Sequence, residues 1–475
     1  MLPLSAQAGP DVMHCRRRSR HPARFGPGGR FGAAVAALTA LGIAVTAAAE
    51  TDLKQWIAAL PEGGWGQASL NEFSEAWVPA GLRPLDANGG GTSSPGKIIG
   101  AWGGFAWDDA RGDLVLWGGG HADYPGNEVY RWQGATRRWQ RASLPSEIRR
   151  VNRDIFVAAD GSAHAPAAAH PYANTVYLPR LDRVLVLGGA AYNNGGAFMT
   201  PADDGTLRRT GPYLWNPAGA DGNKVGGSTG SNVRRGGGPA IAGGQMWVNR
   251  DLWLHPGIHK NMPRGHVNGC AARTEENGAD AVYLLATPGS GTDKALYRYV
   301  IHDLATPATD RWQRLGRSAS GPQGQTVCAI DPRRRHLLRL GSNRQPFLLW
   351  PLPVPGAIGA PVTEQAVPLD GSDALAAWLT ARKLDIRRCG LDFSPPQDAY
   401  ALWCGGAGVW WLHPPPGDGG RWTARPASSP SRDAPADEVG VGVLGKWRFA
   451  ADLGVFIALQ DKQRGHVWMY KPGRQ

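Results

Sequence analysis

In GGGHADY, Gly118 to Tyr124, a histidine, an aspartate and a tyrosine stand within four residues. A second group lies in AHAPAAAHPYANTVY, with His164, His170 and Tyr172, and a third in AAYNNGG, with Tyr192, Asn193 and Asn194. NMPRGHVNGC adds Arg264, His266 and Cys270. Imidazole titrates near pH 6.5 and phenol near pH 10, so the two can divide base and acid roles where a site moves both towards working pH. Arg264 is the nearest cation for a negatively charged substrate group. Each residue also has an ordinary structural role. His170 or His266, entering a strand, can tie backbone between neighbouring elements, and Asp123 is a common turn-former. His121 is harder to explain that way, because a loop released by three glycines has no packing need for an imidazole. The chemistry depends on whether these distant stretches converge, and that is decided by the fold.

Six segments align as hairpins: FAWDDARGDLVLWGGG from Phe105, TVYLPRLDRVLVLGGA from Thr175, RTEENGADAVYLLATP from Arg273, CAIDPRRRHLLRLGSN from Cys328, LDFSPPQDAYALWCGG from Leu391 and WRFAADLGVFIALQDK from Trp447. Each is a strand, a turn of Pro, Asp or Gly, and a second apolar strand, usually closed by small residues. An aromatic third strand often follows (EVYRW, ALYRY, GVWWL, HVWMY), and several copies reach a fourth carrying Trp139, Trp312 or Trp422. This pattern, recurring roughly every 50–70 residues, resembles the kelch repeat, a four-stranded propeller blade. The resemblance implies an all-β fold, a single closed β-propeller over residues 50–475. Seven blades are favoured, as in galactose-oxidase-like propellers, with six as the alternative. The interval from Thr175 to Arg273 leaves room for a seventh blade or for an insertion at about 193–264. The last repeat stops after its third strand, so the segment around Glu75-Ala76-Trp77-Val78 is expected to add the missing strand and close the ring.

Within a blade the strands run antiparallel from the channel outwards. The loop joining strands two and three therefore shares a face with the connection that enters the next blade. This places GGGHADY beside His170 and Tyr172, with Tyr192, Asn193, Arg264 and His266 at the next stations. The expected site has His121, Tyr172, His170 and Arg264 as catalytic candidates. Asp123, Tyr124, Tyr192, Asn193 and His266 are expected to bind substrate.

Cys389 and Cys404 flank the turn SPPQD symmetrically and should face each other across a hairpin, in reach of a disulfide. Cys270 and Cys328 occupy equivalent places in neighbouring blades. They can pair, remain a buried thiol pair, or join His266 around a metal; a structural zinc or calcium ion is the cofactor contemplated.

Six arginines between Arg16 and Arg30 precede the apolar run Gly32 to Ala49, and Ala47-Ala48-Ala49 offers a cleavage site, so residues 1–49 are expected to be a signal peptide. The protein is then periplasmic or secreted, without stable membrane insertion after cleavage, and a monomer is expected. Removing six Arg and one Asp with that segment lowers the net charge from +12 to about +7. That surplus suits an anionic polysaccharide partner. Nucleic acid is not expected, because no basic cluster or nucleic-acid motif is present.

The GGGHADY loop and the H-P-Y strand entrance, in an exported propeller, resemble the propeller ulvan lyases among the polysaccharide lyases. The resemblance implies cleavage of uronate-containing chains by β-elimination, with His121 and Tyr172 matching the family's acid–base pair. This chain departs from the pattern at Gly100-Ala101-Trp102, where a further histidine belongs, and after Gly188-Gly189, where no arginine follows. A non-catalytic propeller that binds glycan or protein is the main alternative. A copper-radical oxidase is a third, and it would need a cysteine beside Tyr124, Tyr172 or Tyr192, which the sequence does not supply.

Overall fold

The computed structural model describes residues 52–84, 94–228, 241–287, 294–318, 324–356, 361–417, 419–427, 431, 433–437 and 440–473. The expected signal segment, residues 1–49, lies outside them. Each of the six hairpins forms the inner half of a blade. Blade 1 runs outwards through Phe105–Asp108, Asp113–Trp117, Val129–Gln133 and Arg138–Arg141. Blade 2 uses Thr175–Leu178, Arg183–Val186, Tyr213–Trp215 and Trp247–Asn249, and blade 3 runs from Gly265–Glu276 to Arg311–Arg317. Blades 4 and 5 start at Cys328–Asp331 and Gly390–Ser394, and blade 6 starts at Trp447–Ala450. Their innermost strands touch in sequence around the axis, and blade 6 returns to blade 1. The fold is a closed six-bladed β-propeller.

Six blades replace the seven favoured by the sequence. The interval after Thr175 holds no additional blade, because blade 2 finds its third and fourth strands there. A small hairpin, Met199–Pro201 with Leu207–Arg209, is inserted between its second and third strands. The ring closes with an N-terminal strand, but not with the expected segment. Gly64–Gln67 pairs antiparallel with His466–Lys471, Trp65 opposite Tyr470. Residues Phe73–Ala76 instead form a helical turn, fixed by a reciprocal capping box between Glu72 and Glu75.

Charge ladders join neighbouring blades at the rim of the turns. Arg111 donates to Asp108 in its own turn at 2.9 Å and to both carboxylate oxygens of Asp182 in blade 2 at 2.6 and 2.7 Å. Arg334 does the same between Asp331 of blade 4 and Asp398 of blade 5. Such two-pronged guanidinium–carboxylate pairs fix geometry as well as contributing energy. The Asp and Arg of the repeat turns thus join blade 1 to blade 2 and blade 4 to blade 5.

Cys389 and Cys404 sit just beyond the paired Gly390 and Trp403, joined by a disulfide with their Cα atoms 4.2 Å apart. The bridge closes a loop of sequence separation 15, so its removal by Cys389→Ser with Cys404→Ser should cost about 3 kcal/mol. Denaturant unfolding of the double variant against the oxidised protein measures this, and equal midpoints would refute it. Cys270 and Cys328 are also bonded to each other, Cα atoms 5.8 Å apart, across the inner strands of blades 3 and 4. This corrects the zinc reading, since both sulfurs are consumed and His266 has no thiolate partner. Among the described residues no group of three or more His, Cys, Asp or Glu side chains is placed to hold zinc or calcium.

Candidate functional site

The GGG and GG motifs have a specific cause. An added Cβ at Gly120, whose φ is +50°, would lie 2.1 Å from the Ala169 Cα, and one at Gly189 would lie 1.7 Å from the His170 carbonyl oxygen. The chain entering blade 2 is therefore clasped between two glycine backbones, and this brings His170 against the loop from blade 1. His121 and His170 meet edge to face with ring centroids 5.6 Å apart, and His170 and Tyr172 meet at 6.2 Å. His170 lies between the other two, so blades 1 and 2 contribute to one cluster. Trp102, from the entrance to blade 1, covers the other side of His170 at 4.9 Å.

Three side chains of this cluster sit on unusual backbone. Trp102, His121 and Tyr172 have φ of 49°, 41° and 53°, in the left-handed region. Bulky residues there cost of order 1–3 kcal/mol each and persist only where the surroundings dictate them. The surroundings here are hydrogen bonds: the Tyr172 amide donates to the Trp102 carbonyl at 2.8 Å and the His121 amide to the Ala190 carbonyl at 3.2 Å. Thirteen non-glycine residues among those described share this backbone region, and these three are the ones that meet around one histidine.

Asp123 organises the polar side. One carboxylate oxygen meets His170 Nε2 at 2.9 Å, and the other accepts from Lys97 Nζ at 2.8 Å. Burial pushes the Asp123 carboxyl up, but the hydrogen bonds and charges of His170 and Lys97 outweigh it and hold the group below the usual carboxylate range. Asp123 is therefore an anion that orients His170. The Tyr172 hydroxyl is pushed up to about 12 by burial alone. His170 is buried, whereas His121 is exposed.

The remaining expected residues divide differently. Tyr124 is wholly buried in the core of blade 1, 6.4 Å from the Trp77 ring, and cannot bind substrate. Tyr192 is also buried, packed edge-on against Phe156 at 5.5 Å. Asn193 stays partly exposed on the same turn, where the space at Gly195 is filled by the His121 ring. Arg264 and His266 line a separate small cavity with Ala197 and Phe198, at the other end of that turn. Among the described residues no hydrogen bond or ion pair joins Arg264 to His121, His170 or Tyr172, and the cation nearest the cluster by such a contact is Lys97, paired with Asp123. His164 is exposed and takes no part.

His266 is buried, its Nδ1 without a hydrogen-bond partner among the described residues. Burial, with the nearby charges of Lys294 and Arg209, lowers its pKa to about 4. A histidine lowered on folding contributes stability that is complete above its unfolded value near 6.5 and is lost as pH falls towards 4. Acidification over that window should remove on the order of 3 kcal/mol through this residue. Denaturation of the wild type and of His266→Leu at pH 7 and pH 4.5 tests it, and equal pH dependence of the two would refute it.

Lys97 and Trp102 were not singled out from the sequence. Both precede the first hairpin and reach the cluster only through the folded entrance of blade 1. The Gly-Ala-Trp at that entrance, where the lyase resemblance implies histidine, was the available signal. No protein-family model matches the chain, and no curated protein sequence matches it. Among solved structures, the GH93 α-L-arabinofuranosidase of Fusarium graminearum in complex with arabinobiose is similar to it at TM-score 0.36 and 9% identity, over 82% of this chain and 97% of that one.

Proposed function

We propose that the protein is an exported carbohydrate-active propeller whose His121–His170–Tyr172 cluster cleaves a uronate-containing polysaccharide by β-elimination. The observation that supports this most is the convergence of three aromatic side chains with left-handed backbone, Trp102, His121 and Tyr172, around an aspartate-oriented histidine. His121, exposed at the rim, takes the proton from the carbon next to the uronate carboxylate. The electron pair forms a carbon–carbon double bond as the glycosidic carbon–oxygen bond breaks. Tyr172, still protonated at neutral pH because burial raises it to about 12, gives its proton to the departing oxygen. His170, fixed by Asp123 and Trp102, holds the two apart, and Lys97 supplies the positive charge that makes the proton acidic.

The wild-type protein should therefore release unsaturated products, read by their ultraviolet absorbance, from at least one polymer in a panel of anionic polysaccharides. Binding without product from every polymer would instead support a recognition propeller. Neither binding nor product would overturn both readings.

A further inference from the structure

Between blades 2 and 3 lies an open polar cavity of about 660 Å³ that the cluster does not use. Its wall carries Arg209, Lys260, Arg264 and Arg314, with Trp253 and Tyr297 between them, and no acidic residue lines it. Adjacent residues show how unusual this is. Arg208 makes a two-pronged pair with Asp251 at 2.6 and 2.7 Å. Arg209, next in the chain, has no carboxylate, and its Nε is buried without a hydrogen-bond partner among the described residues. Its guanidinium lies 5.2 Å over the Trp253 ring, and the His259 ring lies 5.9 Å from the same indole. Burial and the charge of Arg264 both push Arg209 below its ordinary pKa. Arg209, half-buried without a carboxylate beside the exposed Arg264, is a positive charge partly withdrawn from water, which raises the energy of the empty site. An oxyanion with several acceptor oxygens would relieve it, since guanidinium groups match carboxylate and sulfate geometry.

We infer that this cavity is an anion subsite for the sulfate or carboxylate groups of an anionic polysaccharide, built by Arg209, Arg264, Arg314 and Lys260. The inference rests on the polysaccharide reading above and names how such a polymer is recognised. The turn from Tyr192 to Phe198 links the two places: Gly195 packs on the His121 ring, while Ala197 and Phe198 line the small cavity shared with Arg264. A chain seated at the cluster can thus continue over this turn to the basic cavity.

The test is calorimetric titration of the full chain with polygalacturonate, dextran sulfate, sodium sulfate and neutral dextran. Both charged polymers should bind with strong salt dependence and neutral dextran should not. The tighter of the two identifies carboxylate or sulfate as the group recognised. Sodium sulfate, weak by itself, should compete with the polymer. Arg209→Gln and Arg264→Gln should each weaken polymer binding about tenfold. Arg314→Gln, on an outer strand, serves where either of these fails to fold, and Arg208→Gln, outside the cavity, should leave binding unchanged. Wild-type affinity in the Arg209, Arg264 and Arg314 variants, or equal binding of neutral dextran, would overturn the inference. The two proposals separate cleanly. Arginine-dependent binding with no product from any polymer sinks the lyase reading alone. Product formation with KM unchanged in Arg209→Gln sinks the subsite alone.

Discussion

Tyr172→Phe and His121→Ala should each lower turnover on a cleavable uronate polymer by about 10²-fold or more, with the ring intact. The first removes a single oxygen. No hydrogen bond to the described residues holds that hydroxyl, and the aromatic ring stays in the core around the two disulfides. A merely structural tyrosine would therefore tolerate the change. The second removes an imidazole that is exposed on one side and packs on Gly195 and His170 on the other, so the melting temperature is measured beside the rate. His121→Asn is the companion variant, because asparagine accepts left-handed backbone more readily than alanine. The alkaline side of the pH profile tests the acid: no loss of rate from Tyr172 should occur before about pH 12. Tyr172→Phe with near-wild-type turnover would remove it as the acid.

The convergence behind that expectation was legible because it follows from topology. Hairpins ending in glycine place the end of one blade's second strand beside the start of the next blade, whatever the side chains. The clasp of Gly120 and Gly189 around Ala169-His170 is how the sequence encodes it. Packing depth was not legible. Tyr124 and Tyr192 look like loop residues in sequence, yet each packs against a neighbouring aromatic ring, Trp77 and Phe156. The blade count was misread for a related reason. Blade 2 separates its inner and outer halves by an inserted hairpin, and a periodic repeat is invisible when its period is broken. The closing strand was misplaced because Glu75-Ala76-Trp77-Val78 is apolar enough for a strand, while the Glu72/Glu75 capping box, equally visible, favours a helix.

Trp65→Ala should cost about 3–5 kcal/mol, the usual range for truncating a large buried aromatic, in a fold whose whole stability is of order 5–15 kcal/mol. Trp65 is the anchor of the closing strand. It is 2% exposed, and its ring lies 5.6 Å from Trp403, 5.7 Å from Trp447 and 5.2 Å from Tyr470. Its indole donates to the Ala407 carbonyl at 3.0 Å, so truncation also strands an acceptor of blade 5. The loss falls at the joint between blades 5 and 6, where no other element replaces it. Urea unfolding followed by tryptophan fluorescence and by circular dichroism gives the value. A cost below about 1 kcal/mol, within the ordinary range of surface changes, would mean that this strand does not hold the ring shut.

The pairing of Gly64–Gln67 with His466–Lys471 also sets an order of events in synthesis. The ribosome makes Gly64–Gln67 about 400 residues before His466–Lys471, and a domain cannot finish folding before all its elements exist. Trp65 must wait until Tyr470 has been added. Until then the fourth place of blade 6 is empty, and two unpaired edges are open to other chains. Contacts so distant in sequence are also slow to form. Closure therefore depends on Lys471: a chain released before it cannot latch, and it remains a substrate for chaperones and proteases, while a chain that carries it conceals the same surface.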